Sequence, residues 1–288
     1  MPPLDYLIIG HVTQDRYEKK YVLGGTATYA ALTARNLGQQ VGVLTSAAFE
    51  PGLVDVLYGA QVARVPAEET TRFVNTYGDG SRQQHIEARA ELLNAEQLEY
   101  LPDWRAAGIV HLGPIADELV PEMVDAFPDA LIGVTPQGWM RAWGEDGLIR
   151  AVPWAAAEQV LARADAVILS EHDVDHPSVI DRYAALGRLL VVTRGERGAS
   201  IHRDGQWRHV SAFKAGRQVD PTGAGDAFAA AYLIHLKKSG DPYRSAEFAC
   251  CVASFVIQKR HHAGVPSLEQ VDERWQAGKR RKHVGPAS

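Results

Sequence analysis

The chain has 288 residues, which is long enough for one large domain with its own hydrophobic core. Hydrophobic residues make up 46% and charged residues 23%, an ordinary globular composition that argues against a disordered or fibrous chain. The formal net charge is -5, so the overall field does not attract nucleic acid or acidic membranes.

Short apolar runs typical of buried parallel strands recur along the chain, at residues 6–10, 41–44, 109–112, 130–134, 166–169 and 189–193. Helical stretches long enough for crossovers lie between them, at residues 27–37, 118–127, 154–163 and 177–186. This alternation predicts the α/β class, with a central, mainly parallel sheet flanked by helices. We expect one domain over residues 1–275, followed by a flexible C-terminal tail at residues 276–288.

Two segments interrupt the βα rhythm and predict a small β lid. Residues 72–77 and 82–88 flank Gly78-Asp79-Gly80, a turn signal that predicts a hairpin. Residues 16–23 could add a strand, giving lid segments at about 14–24 and 70–88. Such a sheet would lie at the carboxyl edge of the parallel strands, where open α/β sheets bind ligands.

The C-terminal third is predicted to contain a second hairpin and then helices. Residues 199–202 and 207–210 pair through Asp204-Gly205, and helical segments follow at residues 225–238 and 243–258. The two cysteines, Cys250 and Cys251, are adjacent, so neither a disulfide framework nor a cysteine zinc site is expected. The N-terminal segment resembles neither a signal peptide nor a membrane span, so a cytoplasmic protein without membrane or nucleic-acid partners is expected.

The segment Asp220-Pro221-Thr222-Gly223-Ala224-Gly225-Asp226 opens a helix with small residues. A helix start built from Gly and Ala lets an anion approach the exposed backbone N–H groups, and the helix dipole adds to the attraction. Asp226 then has two interpretations: an acidic residue that suits a helix N-terminus, or a base close to a transferred phosphoryl group. The Walker pattern is absent from the sequence.

This segment resembles the C-terminal signature of the ribokinase-like, or PfkB, carbohydrate kinases, in which an Asp precedes Gly-Ala-Gly-Asp at a helix start. Further similarities follow in the family's order from Tyr6 to about Pro266. The resemblance implies Asp226 as the catalytic base and an anion hole formed by Gly223, Ala224 and Gly225.

The resemblance also implies an acceptor site. The run Gly10 to Asp15 resembles the family's first strand and substrate loop, and Gly24-Gly25 resembles its paired glycines. Pro136-Gln137-Gly138-Trp139-Met140-Arg141 is similar to a segment of cyclitol kinases, such as those acting on myo-inositol. The implied substrate-binding residues are Thr13, Asp15, Gly24, Gly25, Gln137 and Arg141.

A donor site follows from the same resemblance, because Thr193 to Ala199 is similar to the family's T-x-G-x-x-G turn. The implied ATP-binding residues are Thr193, Gly195, Gly198, Asp220 and Thr222. Asp173 stands where the family's N-x-x-E motif has its Glu, and it is implied to contact Mg²⁺ through water. A requirement for a monovalent cation stays open.

These features predict transfer of the ATP γ-phosphoryl group to a hydroxyl of a sugar or cyclitol. Two alternatives stay open. One is a nucleoside kinase of the same fold, in which Phe73 and Tyr77 of the lid would stack a base instead of only packing the lid. The other is a non-catalytic regulator that binds a ligand. Monomer and homodimer are both compatible with the sequence.

Overall fold

The computed structural model describes residues 3–17, 20–48, 51–78 and 81–278. The strands in chain order are β1 (Tyr6–Ile9), β2 (Thr13–Tyr17), β3 (Lys20–Gly24), β4 (Val41–Ala47), β5 (Gln61–Pro66), β6 (Thr71–Gly78), β7 (Ser81–Ala88), β8 (Ile109–Leu112), β9 (Leu131–Val134), β10 (Arg141–Ala142), β11 (Arg150–Ala151), β12 (Ala166–Ser170), β13 (Leu189–Thr193), β14 (Ala199–Arg203) and β15 (Gln206–Val210). The α-helices are α1 (Gly25–Asn36), α2 (Pro51–Val56), α3 (Ala157–Arg163), α4 (Pro177–Leu186), α5 (Ala224–Ser239), α6 (Pro242–Val256) and α7 (Leu268–Gln276).

Within the described ranges, the central sheet has nine strands in the order β15-β14-β13-β12-β9-β8-β1-β4-β5. The pairs from β13 to β5 are parallel, and the β14–β15 hairpin extends the β13 edge in antiparallel fashion. The predicted mainly parallel sheet flanked by helices is therefore confirmed. The edge strand β5 and the β10–β11 hairpin were not predicted.

The sheet is buried on both faces, which explains why its strands are continuous apolar runs. Along β1, Tyr6 and Ile8 pack into one core cluster, whereas Leu7 and Ile9 pack into the other. Helices α1, α5, α6 and α7 contribute to the first cluster, and α3 and α4 to the second. Because successive strand residues point to opposite faces, one apolar run supplies both cores.

The predicted helix at residues 118–127 is wrong, since only a 3₁₀ helix forms there, at Pro121–Asp125. Val120 precedes a proline and is extended, which disfavours helix on its N-terminal side. The Glu118 carboxylate is buried and accepts backbone N–H bonds from Ile115 and Ala116 at 2.9 and 2.7 Å. These bonds shape a turn instead of a helical first turn.

A separate four-stranded sheet, called the lid below, has the order β3-β2-β6-β7. The hairpin predicted at residues 72–77 and 82–88 corresponds to β6 and β7. The single strand predicted at residues 16–23 is instead the antiparallel pair β2 and β3. Tyr17 and Lys20 pair at the closed end of this hairpin, and no Gly, Pro or Asn lies between them to signal a turn.

His11 fastens the base of the lid to the central sheet. Its ring is buried, with Nδ1 at 2.7 Å from Thr71 Oγ1 and Nε2 at 2.8 Å from the Glu91 carbonyl oxygen. Burial lowers the pKa of His11, so the neutral ring donates to the carbonyl through Nε2 and accepts from the Thr71 hydroxyl at Nδ1. His11 is thus a satisfied structural histidine.

No helix in the described part of the chain is both long and apolar enough to cross a bilayer. The predicted tail at residues 276–288 lies outside the described residues from residue 279 onward.

Candidate active site

A cleft of about 640 Å³ lies between the lid and the carboxyl edge of the parallel strands. Thr13, Asp15 and Gln84 line it from the lid, whereas Ser170 and Thr193 line it from the ends of β12 and β13. Parallel strands that point the same way bring their ends to one edge, which is where α/β sheets bind ligands. The cleft is therefore the candidate site.

The N-terminus of α5 forms the floor of the cleft. Gly223 is the N-cap residue in a left-handed conformation, with φ of 77°, and a side chain there would collide with the Tyr29 ring. Asp220 accepts the Thr222 N–H at 3.0 Å and the His261 N–H at 3.3 Å. Asp220 is buried behind this turn and does not line the cleft, unlike Thr222.

The three residues of the predicted anion hole line the cleft, and their role stays a prediction. Gly223, Ala224 and Gly225 all line the cleft at the positive end of the α5 dipole. The Ala224 N–H donates to the Pro221 carbonyl oxygen at 3.2 Å, so a bound phosphoryl oxygen would share that donor with the turn. A methyl group at Gly225 would meet open space.

Asp226 lies in the first turn of α5, partly buried and facing the cleft. Thr26 Oγ1 donates to its Oδ1 at 2.8 Å. Burial raises the pKa of Asp226, and the nearby charge of Asp173 acts in the same direction. The Thr26 hydrogen bond and the Arg141 guanidinium oppose that rise of the pKa. The carboxyl is therefore a stronger base than an exposed aspartate.

Polar groups of the lid form one wall near Asp226. Thr13 Oγ1 donates to Asp15 Oδ1 at 3.1 Å, and both residues line the cleft. Gly24 is buried directly behind Asp15, where any side chain would strike the carboxylate. Gly25 lines the cleft with a left-handed φ of 82°, and a side chain there would press on the His11 carbonyl and Thr13.

Gln137 and Arg141 complete this end of the cleft from the loop after β9. Gln137 Nε2 donates to Asp173 Oδ1 at 3.0 Å, and Arg141 Nη1 donates to the Ile115 carbonyl oxygen at 3.3 Å. The wall thus offers carboxylate, amide and guanidinium groups, which suit a ligand with several hydroxyls.

The opposite end of the cleft combines a glycine turn with an apolar surface. Gly195 and Gly198 have positive φ values of 55° and 104°, and they line the cleft together with Thr193. Beyond this turn the lining residues are mainly apolar and come from two segments, the loop after β15 and helix α6. They include Ala212, Phe213, Cys250, Ala253 and Ile257.

Residues 152–268 match the sequence profile described as pfkB family carbohydrate kinase. The match covers the C-terminal part of the chain, which is similar to this family. The matched residues include the α5 N-terminus with Asp226 and the glycine turn formed by Gly195 and Gly198.

Curated relatives of the chain bear kinase names. A nucleoside kinase of Methanocaldococcus jannaschii is 28% identical over 122 residues, which are 40% of the chain and 40% of the relative. A cytidine kinase of Thermococcus kodakarensis is 25% identical over 256 residues, which are 80% of the chain and 87% of the relative. The chain thus spans less than half of the first relative and most of the second.

Solved structures of the ribokinase family share the fold of this chain. A pyrophosphate-dependent kinase, complexed with a pyrophosphate analogue and myo-inositol, superposes with a TM-score of 0.76 at 19% identity, covering 94% of the chain and 99% of that structure. Arabidopsis thaliana ribokinase, complexed with ribose and ATP, gives 0.72 at 20% identity, covering 95% and 99%. The chain therefore has the ribokinase fold.

The carboxylate predicted to act near a metal is already held by protein donors. Asp173 Oδ2 accepts the Ser170 N–H at 2.7 Å, and its Oδ1 accepts from Gln137. Ser170 and His172 line the cleft, whereas Asp173 lies just behind them. Each carboxylate oxygen keeps a second lone pair, so a contact through water still fits. Among the described residues no cluster of three metal-ligating side chains occurs.

Sequence reasoning missed three features of this site. It did not assign a role to Thr26, although the residue follows the paired glycines. It predicted a helix at residues 243–258 but not which of its residues line the cleft. It also missed the pairing of Glu171 with Arg194 and Arg197, at 3.0 and 2.5 Å, which fixes the glycine turn.

Proposed function

We propose that the chain transfers the γ-phosphoryl group of ATP to a hydroxyl group of a sugar or cyclitol. One observation carries the proposal. The Asp226 carboxyl lies in a single cleft between a polar wall and the N-terminus of α5, with a glycine turn and an apolar surface at the far end. Acceptor, base and phosphoryl group would meet at that point.

Asp226 would accept the proton of the acceptor hydroxyl. The hydroxyl oxygen then forms a bond to the γ-phosphorus, and the bond from that phosphorus to the ADP leaving oxygen breaks. Burial raises the pKa of Asp226, so the carboxylate is a better proton acceptor than an exposed aspartate. Arg141 carries a positive charge close enough to influence Asp226, and it could also attract the donor phosphates.

The N-terminus of α5 would receive the negative charge on the transferred group. Gly223, Ala224 and Gly225 line the cleft beside Asp226, where their backbone N–H groups would bind phosphoryl oxygens and the helix dipole favours an anion. The donor turn formed by Thr193, Gly195 and Gly198 would hold the remainder of the ATP phosphates. Thr222 would contribute from the segment before α5.

Mg²⁺, when bound, would supply positive charge that offsets the negative charge of the donor phosphates. Asp173 would hold it through water, because Gln137 and Ser170 fix the carboxylate just behind the residues that line the cleft. Such an arrangement suits Mg²⁺, which usually keeps several waters and needs only one or two protein carboxylates.

The acceptor would lie against Thr13, Asp15, Gln137 and Arg141. Asp15 is an acceptor for two or more hydroxyl groups, and Gln137 and Arg141 supply donors, which together match a polyol. The paired Gly24 and Gly25 allow the lid backbone to approach closely.

A nucleoside acceptor is the second candidate, because the apolar residues Phe73 and Ile115 also line the cleft. Both are buried in a small apolar cluster under the lid, which supports the packing interpretation of Phe73 more than a stacking one. The side chain of Tyr77 lies outside the described residues. Two relatives named for nucleosides keep this candidate open to test.

An acceptor panel tests the proposal. Purified protein with Mg²⁺ is assayed for acceptor-dependent ADP formation with pentoses, hexoses, inositols and nucleosides, and phosphate release is followed when pyrophosphate replaces ATP. We expect turnover with ATP and a polyol. The apolar surface beyond the glycine turn would contact the base of a nucleotide, whereas pyrophosphate has no apolar group to place there.

Asp226→Asn should lower turnover by about 10²-fold or more, the scale of general-base catalysis. Asp175→Asn changes an exposed carboxyl outside the cleft and should keep the wild-type rate. Turnover with nucleosides alone would favour the second candidate. Ligand binding without turnover would favour a regulator, and turnover that Asp226→Asn preserves would exclude Asp226 as the base.

A further inference from the structure

The hydroxyl of Thr26 contacts Asp226 from a different helix. Thr26 is the second residue of α1 and is 1% exposed. Its Oγ1 donates to Asp226 Oδ1 at 2.8 Å across the interface of α1 and α5. Within the described residues, Thr26 is the side chain that donates a hydrogen bond to the Asp226 carboxylate.

Two glycines determine which way the Thr26 side chain points. The left-handed Gly25 turns the chain from β3 into α1, so Thr26 enters the helix facing α5. Gly113 leaves room for the Thr26 methyl group, because a Cβ atom at Gly113 would lie only 2.6 Å from that methyl carbon and would clash with it. With the methyl group packed against Gly113, the hydroxyl is directed at Asp226.

The two oxygens of Asp226 therefore have different environments. Oδ1 accepts the hydrogen bond of the buried Thr26 hydroxyl, which leaves Oδ2 as the oxygen that could accept a hydrogen bond from a ligand in the cleft. A carboxylate held at one oxygen cannot rotate freely, and a base must lie within hydrogen-bond reach of the proton that it removes.

We propose that Thr26 is a positioning residue that fixes the Asp226 carboxylate with Oδ2 aimed at the acceptor hydroxyl. The inference rests on the proposed function, in which Asp226 is the base. It assigns to Thr26 a role in turnover and not in the binding of either substrate.

The same hydrogen bond has an electrostatic consequence. A donor to the ionised carboxylate favours that form, so the bond lowers the pKa of Asp226 against the effect of burial. The other titratable or charged groups that interact with Asp226 are Arg141, Asp173, Tyr6 and Tyr29. Substitution of Thr26 leaves all four in place.

Thr26→Val tests the role with little change in volume, and Thr26→Ser restores the hydroxyl. Thr33→Val is the matched control, because Thr33 lies in the same helix, is equally buried, and its hydroxyl has no partner within the described residues. We expect Thr26→Val to lower kcat about tenfold or more, since hydrogen bonds to charged groups are among the stronger ones. KM for acceptor and donor should change less than about twofold.

The acid limb of the kcat profile should move to higher pH in Thr26→Val, and Thr26→Ser should return both kcat and the limb toward wild type. Thr33→Val should match the wild type in each respect. An unchanged kcat in Thr26→Val, or a Thr26→Ser variant as slow as Thr26→Val, would overturn the inference.

A second readout does not depend on turnover. The pKa of Asp226 can be followed by NMR of aspartate labelled with ¹³C at Cγ, with Asp226→Asn identifying the resonance. Thr26→Val should raise that pKa, and an unchanged value would overturn the inference. If the wild type lacks turnover, the proposed function fails by itself, while this titration still decides whether Thr26 holds Asp226.

Discussion

Gln137 Nε2 donates a hydrogen bond to Asp173 Oδ1 at 3.0 Å, which joins the loop after β9 to the loop after β12. Sequence reasoning did not predict this contact, because it assigned Gln137 to the acceptor and Asp173 to the metal. The hydrogen bond joins these two predicted sites in one side-chain network. Asp173 also acts on Asp226 through its charge.

Asp173→Asn should shift the pH dependence of turnover. The negative charge of Asp173 raises the pKa of Asp226, so its removal should move the acid limb of kcat to lower pH. The concentration of Mg²⁺ for half-maximal rate should rise about tenfold, the usual effect of a lost outer-shell ligand. Both are measured at saturating acceptor. Asp175→Asn, which changes an exposed carboxyl nearby, should leave both unchanged.

Glu171→Gln should weaken donor binding selectively. The Glu171 carboxylate is 14% exposed and pairs with Arg194 and Arg197 of the glycine turn. Burial by itself would raise the pKa of Glu171, but the hydrogen bond and the charge of Arg197 hold that pKa below its usual range. Loss of the charge should raise KM for ATP about fivefold, the equivalent of ~1 kcal/mol, with KM for the acceptor unchanged.

The matched control for that variant is Glu158→Gln. Glu158 forms an exposed pair with Arg182 between α3 and α4, and exposed pairs contribute little. Equal effects of the two variants on KM for ATP would show that Glu171 has no special part in the donor site.

Asp226→Asn should stabilise the folded protein at neutral pH while it removes activity. Burial raises the pKa of Asp226 above its unfolded value, so the folded state pays for an ionised carboxyl at neutral pH. The melting temperature should rise by about 2 °C at pH 7, the shift that ~1 kcal/mol produces in a large domain.

The difference in melting temperature should depend on pH in one direction. Below the unfolded pKa of about 4, Asp226 is protonated in both states and the variant gains nothing. The gain in melting temperature develops as pH rises from the unfolded pKa of Asp226 through its folded pKa, and above the folded pKa it stays constant. A gain that is equal at pH 4 and pH 7 would contradict burial as the cause.

Gly223→Ala and Gly225→Ala should differ sharply in stability although the residues are two apart. At Gly223 the backbone is left-handed and a methyl group would strike the Tyr29 ring, so we expect a loss of about 2 kcal/mol or more. At Gly225 the methyl group meets open space within helix α5, where Ala is favoured over Gly by about 0.5–1 kcal/mol. Urea unfolding of both variants measures the difference, and similar losses would contradict this account of the turn.

Much of the fold followed from local patterns. The runs at Ile109–Leu112 and Leu189–Thr193 form strands at the predicted residues, because a strand buried on both faces must be apolar throughout. The lid hairpin was predicted from the sequence Gly78-Asp79-Gly80, because tight hairpin turns need residues that tolerate positive φ. The assignment of Asp226 also depended on one continuous segment, and its catalytic role stays a prediction.

The tertiary structure decided the contacts between distant segments. Thr26 and Asp226 are 200 residues apart in sequence, and their hydrogen bond exists only because α1 packs beside α5. The buried Glu118 likewise accepts the N–H of His11, which is 107 residues away in sequence. Hydrophobic periodicity reports which face of an element is buried, whereas the side chain met on that face depends on how distant elements pack.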